Sequence, residues 1–136
     1  MKARVLHGGE VSGEVLRLDE PLSFWGTFDP REGRIIDVHH PQYGAIVTGK
    51  ILLMPETRGS GTAPGAIAEA IRRGTGPLAI LLGIGDINLA IGAQVAETLY
   101  GKNCPVLEVD YESLKQAGHI TIRADGTITP RGLPDR

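Results

Sequence analysis

The chain has 136 residues, 41% apolar and 22% charged, with a formal net charge of −2 and a pI near 6.1. That length makes one domain with a core large enough to fold without staples, and the charge balance excludes the strongly basic classes, so neither nucleic acid nor an anionic membrane is expected as a partner. The single cysteine, Cys104, precludes an intrachain disulfide and suits a reducing compartment. The start, MKARVLHGGE, has no signal-peptide core, and no apolar run reaches membrane-spanning length, so a cytoplasmic protein is expected.

Nineteen glycines and nine prolines are spread along the chain, against six aromatic residues. Such a composition reads as short elements joined by tight turns around an aliphatic core. In chain order, Ala3–Leu6 and Val11–Leu18 are strand candidates, followed by a short aromatic strand Phe24–Phe28 and a strand Arg34–Asp37. His39 and His40 fall in a loop, because Pro41 biases His40 away from helix. Ala45–Thr48 and Lys50–Met54 read as strands broken at Gly49.

Pro55 to Thr62 is a polar turn, and a helix follows. Thr62 is its expected N-cap, Pro64 suits its first turn, Ile67, Ala70 and Ile71 form its apolar stripe, and Arg72, Arg73 and Gly74 end it. Pro77–Leu82 is a continuous apolar run, hence a strand buried on both faces. Asn88–Ile91 reads as strand and Ala93–Tyr100 as helix, with Val95, Ala96 and Leu99 inward. Val106–Val109 is a further strand, Asp110 caps a short helix Tyr111–Ala117, and Asp125-Gly126 marks a hairpin between two alternating segments. The order predicts an α/β domain over residues 1–130, a mixed, partly parallel sheet or flattened barrel with flanking helices, and a C-terminal tail at 131–136.

The Gly83-Ile84-Gly85 turn opens like a dinucleotide fingerprint, but its third glycine position is Asn88 and no early βαβ unit holds it. A hydrolase elbow centred on Ser60 would need glycines where Arg58 and Thr62 stand. His39 and His40 are adjacent, so on an extended chain they point apart and do not share a metal. They read as a surface loop, with the alternative that His40 lines a pocket entrance. Ser60 has two readings. It belongs to a helix cap, or Arg58 offers a guanidinium to a carboxylate while Ser60 offers a hydroxyl, with Gly59 and Gly61 letting backbone N–H groups come close. A serine becomes a base only where its alkoxide is held by cations and backbone donors in a dry site. On its own this is half of an active site.

The residues Gly33-Arg34-Ile35-Ile36-Asp37, His40-Pro41, Gly44, Val47, Gly49-Lys50-Ile51-Leu52, Pro55 and Arg58-Gly59-Ser60 resemble the small subunit of the aconitase X family. The likeness runs over Val11–Val109 and is most specific from Gly33 to Ser60. It implies the swivelling β/β/α domain of aconitase-like enzymes. It also implies a larger catalytic subunit as partner, in a heterodimer or higher assembly. That subunit carries iron, alone or as an iron–sulfur cluster, and this chain binds no metal. The family's activities are dehydrations of cis-3-hydroxy-L-proline or phosphomevalonate, and its proton-abstracting serine falls on Ser60. By the resemblance, iron acts as Lewis acid on the substrate hydroxyl and Ser60 takes the α-proton. Arg58, Gly59, Gly61, Thr62 and His40 are the candidate substrate-binding residues. The chain departs from common members at Glu56-Thr57 and at Gly61-Thr62-Ala63-Pro64-Gly65. The His39–Gly44 loop and acidic pI favour the hydroxyproline substrate, since a phosphate would call for more cations near Ser60 than Arg58. A domain of the same fold that binds a small acid or a partner without chemistry is the alternative of a different class.

Overall fold

A computed structural model describes residues 1–22, 28–57 and 63–132. The strands β1 (Arg4–His7), β2 (Val11–Arg17), β5 (Ile51–Met54), β6 (Ala79–Leu82), β7 (Val106–Glu108), β8 (His119–Ile122) and β9 (Ile128–Arg131) form one sheet. Their order is β1-β7-β6-β5-β2-β8-β9. A two-residue pair, β3 (Phe28–Asp29) with β4 (Arg34–Ile35), stands apart from it. The centre is parallel, with β2 on β5, β5 on β6 and β6 on β7 in the registers Val15↔Ile51, Leu52↔Ile80 and Leu81↔Leu107. The flanks β1, β8 and β9 pair antiparallel.

The two ends of this order meet. Lys2 forms an antiparallel bridge with Thr127, Ala3 N–H donates to the Gly126 carbonyl at 2.9 Å, and Ile128 N–H to that of Met1 at 2.8 Å. The mixed sheet therefore curls into a flattened barrel. Strand alternation sorts the side chains. Ile51, Leu53, Ala79, Leu81 and Leu107 point inward, with Ile120, Ile122 and Ile128 of the hairpin and Leu114 of α3 (Tyr111–Leu114). Leu52, Met54, Ile80, Leu82 and Val106 point outward under the helices α1 (Ala63–Arg73) and α2 (Ile87–Tyr100). Both faces are covered, which is why β5 and β6 are unbroken apolar runs.

In α1 the buried stripe is Ile67, Ala70 and Ile71, as the spacing predicts. Glu69 accepts from Arg72 Nε at 2.7 Å and Arg73 Nε at 2.8 Å, and these bonds, that to Arg72 first, hold its carboxyl down to about 2. Gly74, at φ 79°, closes the helix by donating to the Ile71 carbonyl.

Three expectations are corrected. Asn88–Ile91 is not strand, because α2 starts at Ile87: Asp86 caps it, its Oδ1 accepting from Asn88 N–H at 2.8 Å. A four-residue run that is mostly apolar fits either state, and the cap decides. Second, Val95 and Leu99 face solvent, while Leu89, Ala90, Gly92, Ala93 and Ala96 face inward. Small residues let α1 approach closely, so size rather than hydrophobicity selects the buried face. Third, Ala45–Thr48 makes only a bridge from Ile46 to Arg34, and β4 stops at Ile35. Of the aromatic strand, Phe28 belongs to β3 and residues 24–27 lie outside the described residues. β9 continues through Arg131, whose carbonyl accepts from Gly118 N–H at 2.9 Å.

Candidate active site

The parallel strands β2, β5, β6 and β7 end on one edge, at Arg17, Met54, Leu82 and Glu108. Loops leaving the carboxyl ends of parallel strands, beside helix N-termini, are where α/β sheets gather polar groups around ligands. The segment carrying Arg58, Gly59, Ser60, Gly61 and Thr62 connects β5 to α1 at this edge. Those five residues, with the expected Thr62 cap, lie outside the described residues, whereas Thr57 and the first residue of α1, Ala63, are within them.

Thr57 is held from two sides. It forms a parallel bridge with Leu22, and its hydroxyl donates to Asp86 Oδ2. Both oxygens of Asp86 are thus engaged, one by Thr57 and one by the first turn of α2. Beyond the strand ends, Gly83 N–H donates to the Met54 carbonyl at 3.1 Å and Ile84 N–H to that of Pro55 at 2.9 Å. A Cβ on Gly83 would lie 2.6 Å from the Pro55 oxygen, so this glycine is required by close approach rather than by a nucleotide. Gly85 N–H donates to Glu108 Oε2 at 2.7 Å, joining the loops after β6 and β7.

The 18–22 segment is pinned in the same way. Leu18 N–H donates to the Leu53 carbonyl at 2.7 Å, and Tyr111 Oη donates to that of Leu18 at 2.7 Å. Burial, with Asp19 nearby, raises the Tyr111 phenol, so it stays protonated and able to donate. Gln42 Nε2 donates to Asp19 Oδ2 at 2.8 Å, and this bond, helped by Arg17, holds that carboxyl below the usual range.

His40 is buried, 6% exposed, and both ring nitrogens are taken by backbone. Nδ1 accepts from Gln42 N–H at 3.0 Å, so the proton sits on Nε2, which donates to the Glu20 carbonyl at 3.1 Å. His40 therefore braces the segment that leads to Leu22 and Thr57. His39 is exposed beside it, its N–H bonded to Asp37 Oδ1 at 2.9 Å.

No three His, Cys, Asp or Glu side chains among the described residues come close enough to hold a metal ion. Cys104 is buried, and desolvation pushes its thiol up to about 12, so it stays protonated at neutral pH. Among the described residues, Thr57 is the last before the segment 58–62, and Leu22 and Asp86 fix its position. Sequence reasoning missed Thr57 and Asp86. The Asp-x-Asn pattern before α2 was the available signal for Asp86. Among the described residues no helix is long and apolar enough to cross a membrane.

Comparison with known proteins follows the same outline. The family model of the aconitase X swivel domain matches residues 1–130. The cis-3-hydroxy-L-proline dehydratase of Pseudomonas aeruginosa is 46% identical over 103 residues, 76% of this chain and 18% of that protein. The phosphomevalonate dehydratase small subunit of Thermococcus onnurineus is 30% identical over 126 residues, 92% of each chain. The chain spans only about a fifth of the hydroxyproline dehydratases it matches, 18% in Pseudomonas and 22% in Hypocrea jecorina. The crystal structure of Thermococcus kodakaraensis aconitase X in its holo form shares the fold with a TM-score of 0.82 at 30% identity, over 95% of both chains. With the family match covering nearly the whole domain and the backbone agreeing from end to end, this chain belongs to the aconitase X swivel-domain family.

Proposed function

We propose that this chain is the small, swivelling part of a hydro-lyase that dehydrates a small hydroxy acid, cis-3-hydroxy-L-proline, with Ser60 as the base. The observation that carries this reading is the 46% identity to the Pseudomonas dehydratase of that substrate. In this reading Arg58 pairs with the substrate carboxylate or steadies the Ser60 alkoxide, and backbone N–H groups around Gly59, Gly61 and Thr62 add donors. The proton on the carbon α to the carboxylate moves to Ser60 Oγ. Its electron pair forms the new C=C bond as the C3–O bond breaks; the departing hydroxide takes up a proton from solvent to leave as water, and Ser60 then returns its proton to solvent, so one water is lost overall. The product is an enamine that rearranges to a cyclic imine acid. His40 serves the pocket entrance by holding the Glu20 carbonyl.

The residues described here do not fit a metal centre. Iron, alone or in a cluster, belongs in this reading to the large subunit, and no step on this chain runs through it. A cytoplasmic setting suits both the substrate and the free cysteine.

A second reading, dehydration of phosphomevalonate, is favoured by the match to the Thermococcus small subunit along 92% of its length. The test is to reconstitute the chain with its large subunit and assay both substrates with Ser60→Ala. Loss of roughly 10²–10⁴-fold in kcat on one substrate supports the base assignment, and full activity in the variant removes Ser60 from the mechanism. A pair that assembles but dehydrates neither acid points to a binding module.

A further inference from the structure

α2 is apolar on both sides. Its inner face packs on α1 and the sheet, yet Ile87, Ile91, Val95 and Leu99 form a second row on the opposite face, each 39% to 65% exposed. Spaced four apart, they lie along one ridge of the helix. Ile84, just before the helix, adds to the row, which runs about 18 Å from Ile87 to Leu99 at 1.5 Å per residue. Glu97 is the one charged residue of α2, and it turns away: its Oε2 lies 2.7 Å from His7 Nε2 and accepts from Asn103 Nδ2 at 2.9 Å. The exposed polar residues on this side, Gln94 and Thr98, are uncharged, and an exposed apolar row on a helix whose other face is already buried marks an interaction surface.

We infer that this outer face of α2 is the docking surface for the large subunit of the dehydratase, an inference that rests on the function proposed above. Two observations choose this occupant over a second copy of the chain. The matched hydroxyproline dehydratases hold about four-fifths of their length outside this domain, so the domain works against a body several times its size. The row also begins at the active-site rim. Ile84 and Ile87 flank Asp86, which holds Thr57, so a body seated on α2 reaches the edge where the Ser60 segment leaves the sheet. A symmetric pair of α2 faces would leave that half-site incomplete. The uncharged row fits an apolar patch on the large subunit, with no ion pair to desolvate.

The test titrates the purified large subunit with the wild-type chain, with Ile91→Glu/Val95→Glu, and with Val38→Glu as a control on another exposed apolar residue. Circular dichroism checks folding, and light scattering reports the state of the isolated chain. The double variant is expected to lose roughly 100-fold in affinity, and Val38→Glu less than about threefold. Should the glutamates prevent folding, Ile91→Ala/Val95→Ala decides, with about a tenfold loss expected. Wild-type affinity in a folded variant overturns the inference. So does a wild-type homodimer that the variant dissolves while large-subunit affinity stays unchanged. Because binding is the readout, a pair that binds through this face but dehydrates nothing refutes the proposed function and leaves the docking surface standing.

Discussion

Thr57 and Asp86, 29 residues apart, are joined by a hydrogen bond from the Thr57 hydroxyl to Asp86 Oδ2. The bond ties the chain just before the Ser60 segment to the first turn of α2. Asp86 also caps that helix, so one carboxylate both starts α2 and anchors the rim. Asp86→Ala removes both bonds and is expected to cost about 1–2 kcal/mol in urea unfolding. Thr57→Val removes only the tie. If Ser60 is the base proposed above, the reconstituted pair should lose kcat more than it gains KM, because Thr57 lies just before Ser60 rather than at the substrate's anchor. A KM effect alone would assign Thr57 to substrate binding instead.

His40→Ala leaves the Glu20 carbonyl and the Gln42 N–H without their partner in a part-buried setting. The expected loss is about 1 kcal/mol in chemical unfolding. A sharper measurement is hydrogen exchange at the Gln42 amide, which should speed up while the amides of β5 and β6 keep their protection. Unchanged exchange at Gln42 would show that the Nδ1 bond does not hold in solution.

Cys104 carries a pH prediction. Burial raises its thiol to about 12 in the folded chain, against about 8.5 in an unfolded one. A raised folded value means that the contribution is intact below the unfolded value and is lost as pH climbs toward the folded one. Stability should therefore fall between about pH 8.5 and 12, more steeply than in Cys104→Ala, the difference between the two isolating the thiol. At neutral pH the thiol should resist alkylation until the chain is unfolded. Rapid labelling of the native protein would contradict its burial.

Leu81 and Leu99 make a matched pair. Leu81 is fully buried inside the barrel, and Leu99 is 65% exposed on the outer row of α2. Leu81→Ala should cost about 2–5 kcal/mol, while Leu99→Ala should shift the stability of the isolated chain by less than about 0.5 kcal/mol. Thermal melts of the two variants compare them directly, and in the assembled pair the Leu99 change should reappear as weaker association.

Much of this protein was legible in the chain itself because the deciding physics is local. The continuous apolar runs at Ile51–Met54 and Ala79–Leu82 demand cover on both faces. The spacing of Ile67, Ala70 and Ile71 sets the buried side of α1, and Asp125-Gly126 turns the hairpin. The residues from Gly33 to Ser60 carried the family likeness, and with it the expectation of a domain that works beside a larger body. What tertiary structure decided are pairings between distant segments, which periodicity does not encode. Closure of the barrel depends on Lys2 meeting Thr127. The buried face of α2 depends on how closely α1 approaches, which favours Gly92, Ala93 and Ala96 over the larger Val95 and Leu99. The roles of His40 and Asp86 depend on the Glu20 carbonyl and the Thr57 hydroxyl, 20 and 29 residues away. Local sequence sets which elements form, and the contacts among them set which face of α2 is left exposed and which residues fix the loops at the carboxyl ends of the parallel strands.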